Sequence, residues 1–281
     1  MFIGVDIGGT SIKGGQLINN SNIQKTQRIA VDRKENETQF LEKVTQVIEP
    51  LLDNKVLAIG IGIPGIVDNV EGIIYNIQNI PLLKKVFLKA YLEAKYKLPV
   101  FINNDANCFA IGENHFGLGA NYSNFLGVTI GTGLGVGIII NNALYSGKLC
   151  GAGEIGMLPY KDGTIEDYTG SLFFKQKYNT TGEALFKKAL QGDSEALIIF
   201  NEFGKHLGNA INTMLYTYAP QTIILGGAIS KAYSYFKDGV EEKIKTFEFR
   251  EQLRNFEIHI SQHPDMGIIG AAALCLDEKL E

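Results

Sequence analysis

The chain has 281 residues, 45% of them hydrophobic and 20% charged, with a formal net charge of −4 at neutral pH. That balance excludes wholesale disorder, and without a dense Lys/Arg block nothing in it favours a nucleic-acid partner. The length can bury a large core and favours two domains. The three widely separated cysteines, Cys108, Cys150 and Cys275, form no CxxC pair and suit buried, inert thiols in a reducing compartment.

The elements begin at once. Phe2 to Gly15 reads as a hairpin in which Gly4-Val5-Asp6-Ile7 enters the turn Gly8-Gly9-Thr10 and Ser11-Ile12-Lys13 leaves it. A strand pattern starting at Phe2 leaves no signal peptide ahead of it, so a cytoplasmic protein is expected. Ile23 to Val31 can form a third strand. Phe40, Leu41, Val44, Val47, Ile48 and Leu51 then recur at helical spacing over 39–52. Val56 to Ile63 reads as a buried strand that opens into the Pro64-Gly65 loop. Leu83 to Tyr96 reads as a helix, and Val100 to Ile102 as a short strand running into Asn103-Asn104-Asp105. A further helix is expected from Ala106. Strands alternating with helices predict an α/β domain with a mixed sheet.

The hairpin then returns. Leu126 to Ile140 carries Gly127-Val128-Thr129-Ile130 into the turn Gly131-Thr132-Gly133, followed by a second apolar strand. The uncharged run from Phe125 to Gly147 is long enough to cross a bilayer, but its glycines and its Thr and Asn residues make a buried hairpin the better reading, so no membrane partner is expected. A polar, irregular stretch covers 145–163. A long amphipathic helix runs from about Ser194 to Tyr218 and stops at Pro220. Thr222 to Leu225 is a strand leading into Gly226-Gly227. A helix around 233–247, a strand at 256–260 and an Ala-rich helix from Gly267 close the chain.

Each Gly/Thr turn lacks large side chains, so its N–H groups and threonine hydroxyl can face an anion; each alone reads equally well as an ordinary tight hairpin. Two copies point to two related half-domains that each hold phosphate, the plan of a phosphotransferase. Other nucleotide motifs fail. Gly60 to Gly65 fits G-x-G-x-x-G, but Pro64 and the following Ile66-Val67-Asp68-Asn69 open no helix, and Gly147-Lys148 lacks the upstream glycines of a P-loop. Asn103-Asn104-Asp105 has two readings. It can simply cap the next helix, or it can present Asp105 at a strand's carboxyl end to take a proton from a hydroxyl. Glu154 sits in a glycine-rich loop, and Glu166 with Asp167 either favours a helix start or, with Glu154, accepts from polyol hydroxyls. The four histidines, His115, His206, His259 and His263, show no metal spacing and suit core or exposed roles.

Together, Asp6-Ile7-Gly8-Gly9-Thr10, Gly62-Ile63-Pro64-Gly65, Asn103 to Asn107, Gly131 to Gly135 and Ile224 to Gly227 resemble the ROK family of sugar kinases, within the actin/hexokinase/Hsp70 superfamily. The resemblance spans nearly the whole chain. It implies a two-domain α/β actin-like ATPase (ribonuclease H-like) fold with an interdomain cleft, the first domain over 1–105 plus a closing helix at 265–281, the second over 106–264. It implies ATP and Mg²⁺ as cofactors and a hexose as acceptor: glucose first, with an N-acylhexosamine or fructose as alternatives and a non-catalytic sugar-binding regulator as the competing class. On the motif matches, Gly8, Gly9, Thr10, Lys13, Gly131, Thr132 and Gly133 hold the phosphates, Gly226 and Gly227 lie by the adenosine, and Asp6 positions Mg²⁺ through water. Asp105 is the catalytic base. Pro64, Gly65, Asn79, Asn104, Glu154 and Glu166 contact the sugar. The resemblance also implies a homodimer.

Two departures stand out. Many members carry Glu-x-Gly-His, whose histidine binds zinc and touches the sugar; this chain has Glu154-Ile155-Gly156-Met157. Their cysteine-rich segment is reduced here to Lys161 to Ile165 with no cysteine, so no zinc is expected. Met157 cannot donate to a hydroxyl, which predicts altered recognition near C1 and C2. Repressors of the family add an N-terminal helix-turn-helix, for which a strand starting at residue 2 leaves no room.

Overall fold

The computed structural model describes residues 1–18, 21–32, 34–75 and 83–277. The expected sugar contact Asn79 lies outside the described residues.

The chain divides into two compact units, one of residues 1–123, 137–153 and 261–281, the other of 124–136 and 154–260. The first unit is built on the sheet β3-β2-β1-β4-β8. Its strands are β1 (Phe2–Ile7), β2 (Ser11–Ile18), β3 (Asn22–Ala30), β4 (Ala58–Ile63) and β8 (Val100–Asn104). β1 and β2 form the antiparallel hairpin, and β1, β4 and β8 run parallel. Helices cover both faces of this sheet. Gly14 packs against Val47 and Leu51 of α1 (Glu37–Ile48) and its extension, while its neighbour Gly15 packs against Ile268 of α9 (Met266–Asp277), as the period of two requires. α1 starts on a reciprocal capping box, Asn36 with Gln39, two residues earlier than its apolar periodicity suggests. The core is branched and aliphatic, with Ile3, Val5, Ile7, Ile59, Ile61 and Ile63 fully buried around Phe40.

The opening segment of the first unit runs on to residue 123. The reason is packing: α3 (Asp105–Phe116) lies against α9, close enough that Gly270 could take no Cβ without striking the Cys108 carbonyl. A small sheet, β5 (Ile66–Asp68), β6 (Ile73–Tyr75) and β7 (Lys85–Val86), follows the Pro64-Gly65 loop. Its two- and three-residue strands are too short to leave a period in the sequence, and β7 shortens the expected helix to α2 (Leu88–Tyr96).

The second sheet has the order β11-β10-β9-β14-β15, the first sheet's pattern repeated. Its members are β9 (Phe125–Ile130), β10 (Leu134–Ile140), β11 (Ala143–Leu144), β14 (Thr222–Gly226) and β15 (Glu257–Ile260), with β9, β14 and β15 parallel. The unit boundary passes through β10. Between the strands come β12 (Pro159–Tyr160), β13 (Gly163–Thr164), α4 (Ile165–Thr169), α5 (Ser171–Tyr178), α6 (Gly182–Ala189), α7 (Ser194–Tyr218) and α8 (Tyr233–Ile244). α7 matches its sequence pattern end to end. Asp193 caps it by accepting the Ala196 N–H at 2.8 Å, and Ala219 ends it in a left-handed conformation before Pro220. Its apolar stripe packs rings: Phe200 and Phe203 meet Phe174 and Phe236 at centroid distances of 5.0–6.4 Å.

Candidate active site

In the first unit the parallel register sets Asp6 beside Gly62 and Gly62 beside Asn103, so three carboxyl-terminal strand ends carry the candidate chemistry in one row. Ligands in open α/β sheets bind at that end. Asp6 pairs across the hairpin with Lys13. It also faces the first turn of α9, where a Cβ on Gly267 would lie 3.1 Å from its carboxylate. Burial pushes the Asp6 carboxyl above its usual range; the Lys13 ammonium pulls it down, and Asp265 pushes it up. The turn that follows is held by Gly8 N–H donating to Ser11 O at 2.9 Å and by Val31 N–H donating to Thr10 O at 3.0 Å. The N–H groups of Gly9 and Thr10 take part in neither bond.

The Asn-rich run divides its labour. Asn104 is the N-cap of α3, its Oδ1 accepting from Ala106 N at 2.9 Å and Asn107 N at 3.4 Å. Its Nδ2 donates to Gly65 O at 3.3 Å, which ties the cap to the Pro64-Gly65 loop. Asn103 is buried, and its Oδ1 accepts from Asn104 N and from Asn107 Nδ2 at 2.8 and 2.9 Å. The surplus amides are therefore bracing. Asp105 is the first residue of α3, half-buried, where the helix dipole favours a negative group; its Oδ1 accepts the Ala106 N–H at 2.9 Å. Asp6, Gly65, Asn104 and Asp105 are thus brought to one end of one sheet.

In the second unit the register pairs Gly226 with Thr129, so Gly226-Gly227 leaves β14 beside the Gly131-Thr132-Gly133 turn. Gly227 has φ +85° and approaches the Ile130 carbonyl so closely that a Cβ would lie 2.4 Å from its oxygen. The turn is pinned from behind. Gly131 N–H donates to Gly133 O at 3.0 Å, and Ser171 N–H donates to Gly131 O and Thr132 O at 2.9 and 3.3 Å. Glu166 Oε2 accepts the Leu134 N–H at 3.2 Å. The N–H groups of Thr132 and Gly133 take part in none of these bonds, and Thr132 is exposed. Glu154 is also exposed; its carboxyl is raised by partial desolvation and then by the nearby charge of Glu166. Glu166 thus bonds the end of the turn, and Glu154 feels its charge.

A cluster that sequence reasoning did not single out holds α4 in place. Asn209 Nδ2 donates to the Tyr160 hydroxyl at 2.9 Å, and that hydroxyl lies 3.1 Å from His206 Nδ1. The His206 ring sits 4.9 Å from Tyr168 of α4 and 5.4 Å from Phe173. Lys161 stacks over Tyr168 at 4.9 Å. His206 is buried, and desolvation lowers it to about 4, helped by the Lys161 charge. Its partner Tyr160 is 46 residues away, so no local spacing announces the pair. Among the described residues, no group of three or more His, Cys, Asp or Glu side chains is arranged to hold a metal ion.

Two sheets of one strand order, each with a Gly/Thr turn after its first strand, define the two-domain actin-like ATPase fold. Comparison with known proteins narrows this. The profile described as ROK family matches residues 2–278, and the chain belongs to that family. It is 27% identical to a glucokinase of Thermotoga maritima over 97% of this chain and 96% of that protein. It is 28% identical to a xylose repressor of Bacillus subtilis over 80% of this chain and 62% of the repressor. Among solved structures, a ROK family glucokinase from Streptomyces griseus in complex with glucose and AMPPNP superposes with a TM-score of 0.84 at 27% identity, covering 99% of both chains.

Proposed function

We propose that this chain is an ATP-dependent sugar kinase that transfers the γ-phosphoryl group to the 6-hydroxyl of a hexose, glucose being the first candidate. The observation that carries this reading is the register of β1, β4 and β8, which sets Asp6 and the Asp105 helix start at one sheet end. The end-to-end similarity to a glucokinase supports it. In this reading Asp105 accepts the proton of the attacking hydroxyl, and Asn104, with the Pro64-Gly65 loop it braces, orients the sugar together with Asn79, Glu154 and Glu166. Gly8, Gly9, Thr10 and Lys13 in the first unit and Gly131, Thr132 and Gly133 in the second stabilise phosphate charge, and Gly226-Gly227 lies against the adenosine.

Magnesium enters as part of the nucleotide substrate. A Mg²⁺ ion keeps most of its waters and needs one or two carboxylates plus phosphate oxygens, so Asp6, with Asp265 nearby, fits the protein's share. The ion would neutralise phosphate charge. The free, buried cysteines suit a cytoplasmic protein, and by family resemblance it would act as a homodimer.

The similarity to a xylose repressor favours a second reading, a sugar-binding regulator without transfer chemistry. A coupled ADP-release assay across glucose, mannose, fructose, N-acylhexosamines and xylose separates the two. A kinase releases ADP in step with one or more sugars. A regulator binds sugar in calorimetry and releases none.

A further inference from the structure

Glu166 belongs to the proposed acceptor contacts, yet its carboxylate lies on the second phosphate turn. A Cβ added at Gly133 would stand 1.9 Å from Oε2, the same oxygen that accepts the Leu134 N–H. Gly156, in the loop that carries Glu154, packs against the Glu166 Cβ on one side and the Leu134 carbonyl on the other. At the far end of α4, Gly170 sits over the Thr132 carbonyl and Ser171 bonds to Gly131 and Thr132. The turn is thus gripped at one end by α4 and at the other by the start of α5, and the grip at Leu134 is a negative charge.

A triphosphate brought to the Thr132 and Gly133 N–H groups meets that charge, and like charges in a partly desolvated site oppose each other. An acceptor sugar offers hydroxyl donors to the same carboxylate, which shields and disperses its charge. We propose that Glu166 couples the two substrates, its carboxylate opposing nucleotide binding at the second turn until the acceptor's hydroxyls donate to it. The inference rests on the reading above, in which residues 131–133 hold phosphate and Glu166 holds the sugar. Thermodynamic reciprocity then requires nucleotide to tighten sugar binding by the same factor. An enzyme so built holds ATP weakly when no acceptor is present, which limits wasteful hydrolysis.

Calorimetric titration of the full chain with AMPPNP and Mg²⁺, with and without saturating glucose, tests this in the unaltered protein, Glu166→Gln and Glu154→Gln. Gln at 166 keeps an acceptor for the Leu134 N–H and removes only the charge. The expected result is AMPPNP binding about 5- to 50-fold tighter with glucose in the unaltered chain, within the usual range of coupling. Glu166→Gln should bind AMPPNP roughly 5-fold or more tighter than the unaltered chain without any sugar, and glucose should then add little. A misfolded variant cannot gain affinity, and this sugar-free arm holds whichever hexose is the true acceptor. Unchanged AMPPNP affinity and unchanged glucose dependence in Glu166→Gln would overturn the inference, as would an equal gain in Glu154→Gln, whose carboxylate does not bond the turn. Failure of the unaltered chain to bind AMPPNP at all would instead remove the reading on which it rests.

Discussion

At the scale of single residues, Asp105 and Asn104 divide what the sequence left joined. Asn104 is the N-cap, and Asp105 beside it stands at the helix start, sharing the Ala106 N–H with that cap. Asp105→Ala should therefore lower kcat by about 10²- to 10⁴-fold, the usual share of a general base, while sugar affinity changes little. Steady-state kinetics with parallel sugar titration reads both; full activity in the variant would remove Asp105 from the mechanism. His206 makes a prediction of another kind. Its folded value of about 4 lies below the ordinary 6.5, so the unfolded chain takes up a proton first as the pH falls. The stability gained by holding it neutral is complete above about pH 6.5 and is lost progressively down to about pH 4, on the order of 3 kcal/mol. Glu202, Lys161 and Lys177 set this value together with burial. Urea unfolding at pH 4.5 and pH 7 should show a smaller loss in His206→Gln than in the unaltered chain. Parallel losses would place the acid sensitivity elsewhere.

At the scale of elements, glycines permit the close approaches that bring the proposed site residues together, and two of them should fail differently. Gly227→Ala puts a side chain on a left-handed backbone and drives its Cβ into the Ile130 carbonyl, which cannot move without disturbing β9. A loss of about 2–4 kcal/mol in denaturant unfolding is expected. Gly133→Ala meets the tip of the flexible Glu166 side chain instead, so its cost should be far smaller and should appear in substrate binding. Equal destabilisation by both would contradict this geometry. The long, strongly periodic elements were legible in the sequence, α7 above all, because a buried stripe of 25 residues leaves an unmistakable period. The small β5-β6-β7 sheet was not, since strands of two or three residues carry no period, and β7 was read as helix. The Tyr160–His206 contact was equally hidden, because it depends on how β12 meets α7.

At the scale of the whole molecule, the repeated hairpin read from the sequence reappears as two sheets of matching order. The repetition extends beyond the hairpins to the parallel strands beside them, which carry Gly62 and Asn103 in one unit and Gly226 in the other. What the glycine motifs could not announce is that Glu166 reaches the second turn from 32 residues away. Nor could they place the first division of the chain at residue 123, which depends on α3 packing against α9. Sugar-dependent release of ADP from ATP and Mg²⁺ tests the central claim most directly. The account predicts ADP formed in equal amount with a hexose 6-phosphate for at least one hexose, and almost none without sugar. Tight sugar binding with no ADP released for any sugar would contradict it.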